Sequence, residues 1–258
     1  MVKKILKIAL WVITGAALVL LFVFGRNGYL HTPLKGIDFQ LERSHNQGFV
    51  QKDSILRNME SICDLQHRND ISNIDLMRIQ KLLAGNPWIQ ESSAYIGLND
   101  SLIIHAKEYE PMVRVFNRRG RSIYITGEGV VIPSSPHYTP RTLIASGNFD
   151  FPLPSGRVSV TDSLYAQSGL AEALAITKAI RRDAFLNGNI GQLVKNADNE
   201  YELMVNNLTA TVLLGDTCQL DSKLGRLRIM LERYSGTEEL NAYKSLNLKY
   251  KNQIVCTK

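Results

Sequence analysis

From Ile8 to Phe24 the chain carries no charged residue, and Ile5 and Leu6 extend this apolar stretch toward the N-terminus with Lys7 inside its edge. About 20 such residues are what a helix needs to cross a hydrocarbon core about 30 Å thick. The pattern predicts a tail at 1–4, a transmembrane signal-anchor at 5–25 and a linker at 26–35. A cleaved signal peptide has a shorter apolar region with small residues behind it, whereas this run ends in Phe24-Gly25-Arg26-Asn27. Lys3, Lys4 and Lys7 before the run outnumber Arg26 after it. By the positive-inside rule the tail is cytoplasmic and the bulk of the chain lies outside.

Past the linker the period changes. Gly36 to Glu42 alternates at Ile37, Phe39 and Leu41, which predicts a half-buried strand. Ile55, Leu56, Met59, Ile62 and Cys63 recur at helical spacing behind an N-cap at Asp53 or Ser54. Ser72 and Asp75 form a capping-box-like pair before Leu76, Ile79, Leu82 and Leu83, and Gly85 and Pro87 give the stop of that second helix. Strands at Ser93 to Leu98 and Ser101 to Lys107 flank the polar pair Asn99-Asp100. The stretch 36–110 is thus β-α-α-β-β, a small sheet with two helices on one face.

Beyond Pro111 the elements shorten. Strands are expected at Met112–Phe116, Ile123–Thr126 and Val130–Pro133, with the turn Asn117 to Arg121 between the first two. The run from Pro133 to Pro154 holds five prolines and is expected to be irregular apart from a short strand at Thr142–Ala145. One long helix is predicted over Ser163–Phe185, then strands at Ile190–Lys195, Glu200–Val205 and Thr209–Leu214, and a helix carrying Leu220, Leu224, Leu227, Met230, Leu231 and Tyr234. A final strand is read over Tyr243–Val255, with Leu246, Leu248 and Tyr250 on one side and Lys249 and Lys251 on the other. The fold class is α+β: one N-terminal membrane helix, the β-α-α-β-β domain, and a mixed β-rich domain with two helices over 111–258.

Composition adds exclusions. At 258 residues and 45% apolar the chain can bury cores for two small domains. Of its 30 basic residues four fall in 1–26, leaving 26 against 24 acids, too even a balance for a nucleic-acid surface. Cys63, Cys218 and Cys256 have no metal-ligand spacing, although Cys218 and Cys256 could bridge. His31, His45, His67, His105 and His137 are scattered, and no nucleophile or phosphate-loop motif occurs. Gly127-Glu128-Gly129 reads as a turn. Glu108 and Glu110, two apart on a strand end, read as solvated acids rather than a catalytic pair, and Arg118, Arg119 and Arg121 as a soluble basic turn. No cofactor, metal or small-molecule substrate is indicated, and nothing in the residues points to a catalytic site.

Four segments resemble the cell-division protein family FtsQ/DivIB: Leu82 to Ile89 (LLAGNPWI), Leu102 to Pro111 (LIIHAKEYEP), Asn206 to Gly215 with the helix Lys223–Tyr234, and Leu246 to Tyr250 (LNLKY). The resemblance implies a non-enzymatic, bitopic inner-membrane scaffold of the divisome with its bulk in the periplasm, whose first extracytoplasmic domain, at 36–110, is a POTRA domain and whose second is a β-domain. It implies binding of the FtsB/FtsL pair by strand addition to the last β-strands, and contacts of the POTRA domain with other divisome members. It places Lys249 and Tyr250 on the family's basic-aromatic contact pair, with Leu248, Lys251 and Tyr243 on the same strand, and Glu108 on the acid at the domain junction. Pro87, Trp88 and Ile89 fall on POTRA core positions. Asp53-Ser54-Ile55, Asp100-Ser101-Leu102 and Asp162-Ser163-Leu164 also resemble bacterial O-glycosylation acceptors. Competing readings are an anchored envelope hydrolase, which needs a polar pocket, and a POTRA-type chaperone or transport component, which needs tandem domains or a barrel.

Overall fold

The computed structural model describes residues 2–30, 32–44, 46–63, 70–154, 156–234 and 237–258, apart from the side chains of 2–6, 8, 26–30 and 61–63. The side chains of His31, His45, His67, Ile62 and Cys63 therefore lie outside it. The chain starts with helix α1 (Val2–Leu30), whose described side chains, Leu10 through Phe24 among them, are exposed. Among the described residues no helix is long and apolar enough to cross a membrane. Ile8, which opens the uncharged run, is one of the side chains not described.

Two compact units divide the chain, Met1–Glu42 with Val50–Glu108, and Arg43–Phe49 with Tyr109–Lys258. The first holds β1 (Gly36–Glu42), α2 (Lys52–Cys63), α3 (Leu76–Ala84), β2 (Ile89–Ile96) and β3 (Ser101–Glu108), with β3 between a parallel β1 and an antiparallel β2. This is the β-α-α-β-β order that the periods predict. Phe39, Ile55, Met59, Ile79, Leu83, Ile89, Leu102 and Ile104 form its core, and Trp88 packs against them. Two local devices differ from expectation. Asp75, not Ser72, caps α3, its carboxylate accepting from the Arg78 N–H at 2.9 Å, because Ser72 is held in a 3-10 turn at Ile71–Asn73. In the β2–β3 loop the left-handed position that favours glycine is filled by Asp100, at φ 60°.

The second unit is one mixed sheet of ten strands: β4 (Pro111–Phe116), β5 (Ser122–Thr126), β6 (Val130–Pro133), β7 (Leu143–Gly147), β8 (Val158–Ser159), β9 (Ile190–Lys195), β10 (Tyr201–Val205), β11 (Thr211–Gly215), β12 (Ser245–Asn247) and β13 (Val255–Thr257). Their spatial order is 13-12-11-10-9-7-4-5-6-8. Strand β7, from the proline-rich run, is central, parallel to β4 on one side and β9 on the other. Helices α4 (Leu170–Arg181), α5 (Ala184–Asn189) and α6 (Leu220–Arg233) complete it, with α4 packed on β4, α5 and α6.

The single helix expected over 163–185 is three pieces. A 3-10 turn occupies Ser163–Tyr165, and Gly169 at φ +82° starts α4. Asp183 then ends α4 and caps α5, its carboxylate accepting from the N–H groups of Phe185 at 3.0 Å and Leu186 at 3.1 Å. The terminal strand read over 243–255 is also corrected. It is two short strands joined by a turn, because the Asn247 side chain accepts from the Lys249 N–H at 3.0 Å and Asn252 turns left-handed at φ 60°, which breaks the period-2 alternation.

Candidate partner-binding surface

The C-terminal segment is stitched to its sheet from below. Strand β12 runs parallel to β11, and the Leu248 N–H donates to the Leu213 carbonyl at 2.9 Å. Leu246 and Leu248 are both fully buried in the core. Strand β13 pairs with β12 alone, so among the described residues its outer edge is the end of the sheet. An edge of this kind presents unpaired backbone groups to another chain. It is three residues long, not the thirteen that the sequence pattern suggested.

The turn between β12 and β13 is fixed by helix α6. Arg226 reaches across with one nitrogen donating to the Leu248 carbonyl at 3.1 Å and the other to the carbonyls of Tyr250, at 2.5 Å, and Gln253. One guanidinium thereby holds three carbonyls, a use of its fork that lysine could not reproduce. Lys223, one turn earlier on α6, is buried and donates to the Asp216 carboxylate at 2.7 Å and its carbonyl at 3.0 Å. That hydrogen bond holds the Asp216 carboxyl below its ordinary range.

The expected site residues separate within this frame. Tyr250 is half exposed, so it does not pack inward beside Leu248. Lys249 is exposed but paired, its ammonium lying 2.9 Å from the Glu200 carboxylate, whose hydrogen bond pushes the lysine pKa up. Its stem crosses Gly215 so closely that a Cβ there would lie 2.8 Å from Cγ and Cδ. Lys251 is exposed at the turn, whereas Tyr243 is partly buried against the core. Glu108 belongs to the first unit, where it ends β3 and, instead of being solvated as its position suggested, is buried with its carboxylate accepting from the Val50 N–H at 2.9 Å. Glu110 is exposed and accepts from the Ser44 hydroxyl at 3.0 Å.

Sequence reasoning missed the groove beside this turn. It has a volume of about 270 Å³ and is lined by Ile229, Met230 and Tyr234 of the α6 region and Asn252, Gln253 and Ile254 of the C-terminal segment. Ile229 is 67% exposed although it lies on the amphipathic helix. That off-stripe isoleucine was the signal in the sequence. Cys218 and Cys256 are both free thiols, and burial pushes the Cys256 thiol up. Among the described residues no cluster of histidine, cysteine and acids is placed to hold a metal.

The family described as FtsQ/DivIB, C-terminal related, matches residues 110–257. The chain belongs to this family. FtsQ/DivIB proteins are non-enzymatic, membrane-associated cell-division proteins, and membership supports a role in division. The FtsQ/DivIB match takes in the whole ten-stranded sheet, including the β12–β13 turn and α6, and does not extend over β1 to β3. No curated protein matches the chain.

Proposed function

We propose that the chain is a division scaffold that works by holding other division proteins, an FtsB/FtsL-like pair first among them, on the free edge of β13. The observation that carries this reading is an unpaired sheet edge inside the FtsQ/DivIB-matching region, flanked by exposed Tyr250 and Lys251 and by the apolar groove at Ile229. A partner strand hydrogen-bonds to the edge, its alternate side chains taking the groove, and its acids face Lys251. Lys249 already has Glu200, so its contribution to a partner is an exchange of one carboxylate for another. In this reading the β-α-α-β-β unit is a POTRA domain that contacts further divisome members. Helix α1 is the signal-anchor, supported by the uncharged run Ile8 to Phe24 and the exposure of its described side chains. The first 4 residues are then cytoplasmic and the two units periplasmic.

Capture of the extracytoplasmic parts of an FtsB/FtsL pair by the full chain in detergent tests this, with wild type compared to Tyr250→Glu. Both proteins are checked for folding by circular dichroism. Capture by wild type and its loss in folded Tyr250→Glu is the expected result. Folded wild type that captures neither partner overturns the partner assignment, and release of the chain from membranes by alkaline carbonate overturns the anchor.

A further inference from the structure

Lys195 closes β9 and is only 7% exposed, yet among the described residues no oxygen accepts a hydrogen bond from its ammonium and no acid pairs with it. Its backbone is pinned. Gly147 opposite it takes φ +103°, and the Lys195 carbonyl accepts from the Asn148 N–H at 2.7 Å. Its side chain runs past the Phe149 ring, with the ammonium 5.7 Å from the centroid, to the start of α4. A Cβ on Gly169 would stand 2.7 Å from that ammonium and 3.0 Å from the Tyr201 hydroxyl, so only glycine allows this approach.

The ammonium meets charge of both signs there, with no carboxylate paired to it among the described residues. Helix α4 has 12 residues and Gly169 gives it no side-chain cap; the Ser168 hydroxyl accepts from the Leu170 N–H at 3.3 Å, and the next first-turn N–H groups and the helix dipole put partial positive charge beside Gly169. The Arg118 guanidinium also acts on Lys195 as a like charge while it donates to the Asn148 side chain. Among the described residues the acid whose field reaches the lysine is the exposed Glu172, in the first turn of α4, and it forms no ion pair with it. A mostly buried cation left unpaired at a positive helix end is costly unless an anion joins it. The ammonium is not sealed in, because the one enclosed side-chain polar atom without a regular hydrogen bond among the described residues is the Tyr124 hydroxyl.

We propose that Lys195 and the N-terminus of α4, with Arg118 at the rim, form a binding site for one compact oxyanion, a phosphate or a carboxylate group. First-turn N–H groups of α4 and the ammonium donate to its oxygens, and Glu172 acts as an internal competitor. The source is a free phosphate or the carboxylate of an acidic side chain, which share this chemistry.

The full chain in detergent is titrated with sodium phosphate and, separately, with sodium glutamate, against sodium chloride at matched ionic strength, following the melting temperature. At least one of the two anions raises it beyond chloride, and which one does so identifies the source. Lys195→Met, which keeps the length and buries no charge, weakens that response at least about tenfold. Glu172→Gln, an exposed change that leaves the lysine in place, tightens it about threefold. A wild type that responds to neither anion overturns the site, as does an equal response in Lys195→Met. If Lys195→Met does not fold, Glu172→Gln decides: an unchanged affinity overturns the proposal.

Discussion

Two lysines in the ten-stranded unit are buried to the same degree, Lys223 at 6% and Lys195 at 7% exposure, and they are treated in opposite ways. Lys223 is given a carboxylate and a carbonyl by Asp216, and beside it Arg226 takes three carbonyls of the C-terminal segment. Lys195 is given an aromatic face, a helix start, the like charge of Arg118 and the field of Glu172, but no paired carboxylate among the described residues. The difference teaches how to tell a brace from a site. A desolvated cation whose donors are satisfied within the chain holds the fold, and one whose donors are left over is available to something else.

The largest expected effect breaks the braced side. Arg226→Ala removes one donor group from three carbonyls and costs about 2–3 kcal/mol in urea unfolding. It also lowers partner capture, because the β12–β13 turn loses its hold on α6. A loss under about 0.5 kcal/mol shows that the turn is held by Leu246 and Leu248 alone. Asp216→Ala comes next, at about 1–2 kcal/mol, since it leaves the Lys223 ammonium with no charged partner, while the exposed carboxylate limits the loss. Lys195→Met is expected within about 0.5 kcal/mol of wild type or more stable, because an apolar side chain of similar length relieves a desolvated charge. Should it destabilise the chain as much as Asp216→Ala, Lys195 is a brace and the contrast fails.

The smallest effect is in the pH dependence. The Asp216 carboxyl is held below 3.8 by Lys223, so its contribution is present above that pH and lost as pH falls through the folded value. Denaturation of Asp216→Ala should therefore lose less stability than wild type between about pH 5 and pH 3. The Lys249 ammonium is shifted the other way, above 10.5, by Glu200. Its stabilisation is present below 10.5 and lost as pH rises through the folded value, a change visible in wild type and absent from Glu200→Gln.

Much of the sheet was legible because its strands keep local patterns. Gly36–Glu42 is found with the bounds that its alternation predicts, and Ile190–Lys195 with the bounds expected for it. The helix break at Gly169 was less legible, although Ser168-Gly169 is a breaker pair inside an apolar period, because the leucines on either side sustain the count. The short strand expected at Thr142–Ala145 is found as β7 at Leu143–Gly147, clear of all five prolines, but its central place in the sheet was hidden, since a proline-rich run argues for an edge. On the candidate surface the exposure of Lys249 and Lys251 was readable, but the inward or outward choice of Tyr250 was not. It depends on the Asn247 turn, which cancels the alternation.

By itself the sequence determined the α+β class, the β-α-α-β-β order, the apolar N-terminal run and the kinship with FtsQ/DivIB, because hydrophobic period and short motifs are properties of neighbours along the chain. Only the tertiary structure decided that the last strand is a three-residue edge, that Glu108 is buried in the first unit, and that Lys223 and Lys195 differ. A lysine looks the same in any sequence. What it does is set by which oxygens lie within about 3 Å of its ammonium, and here those oxygens come from residues brought together by folding.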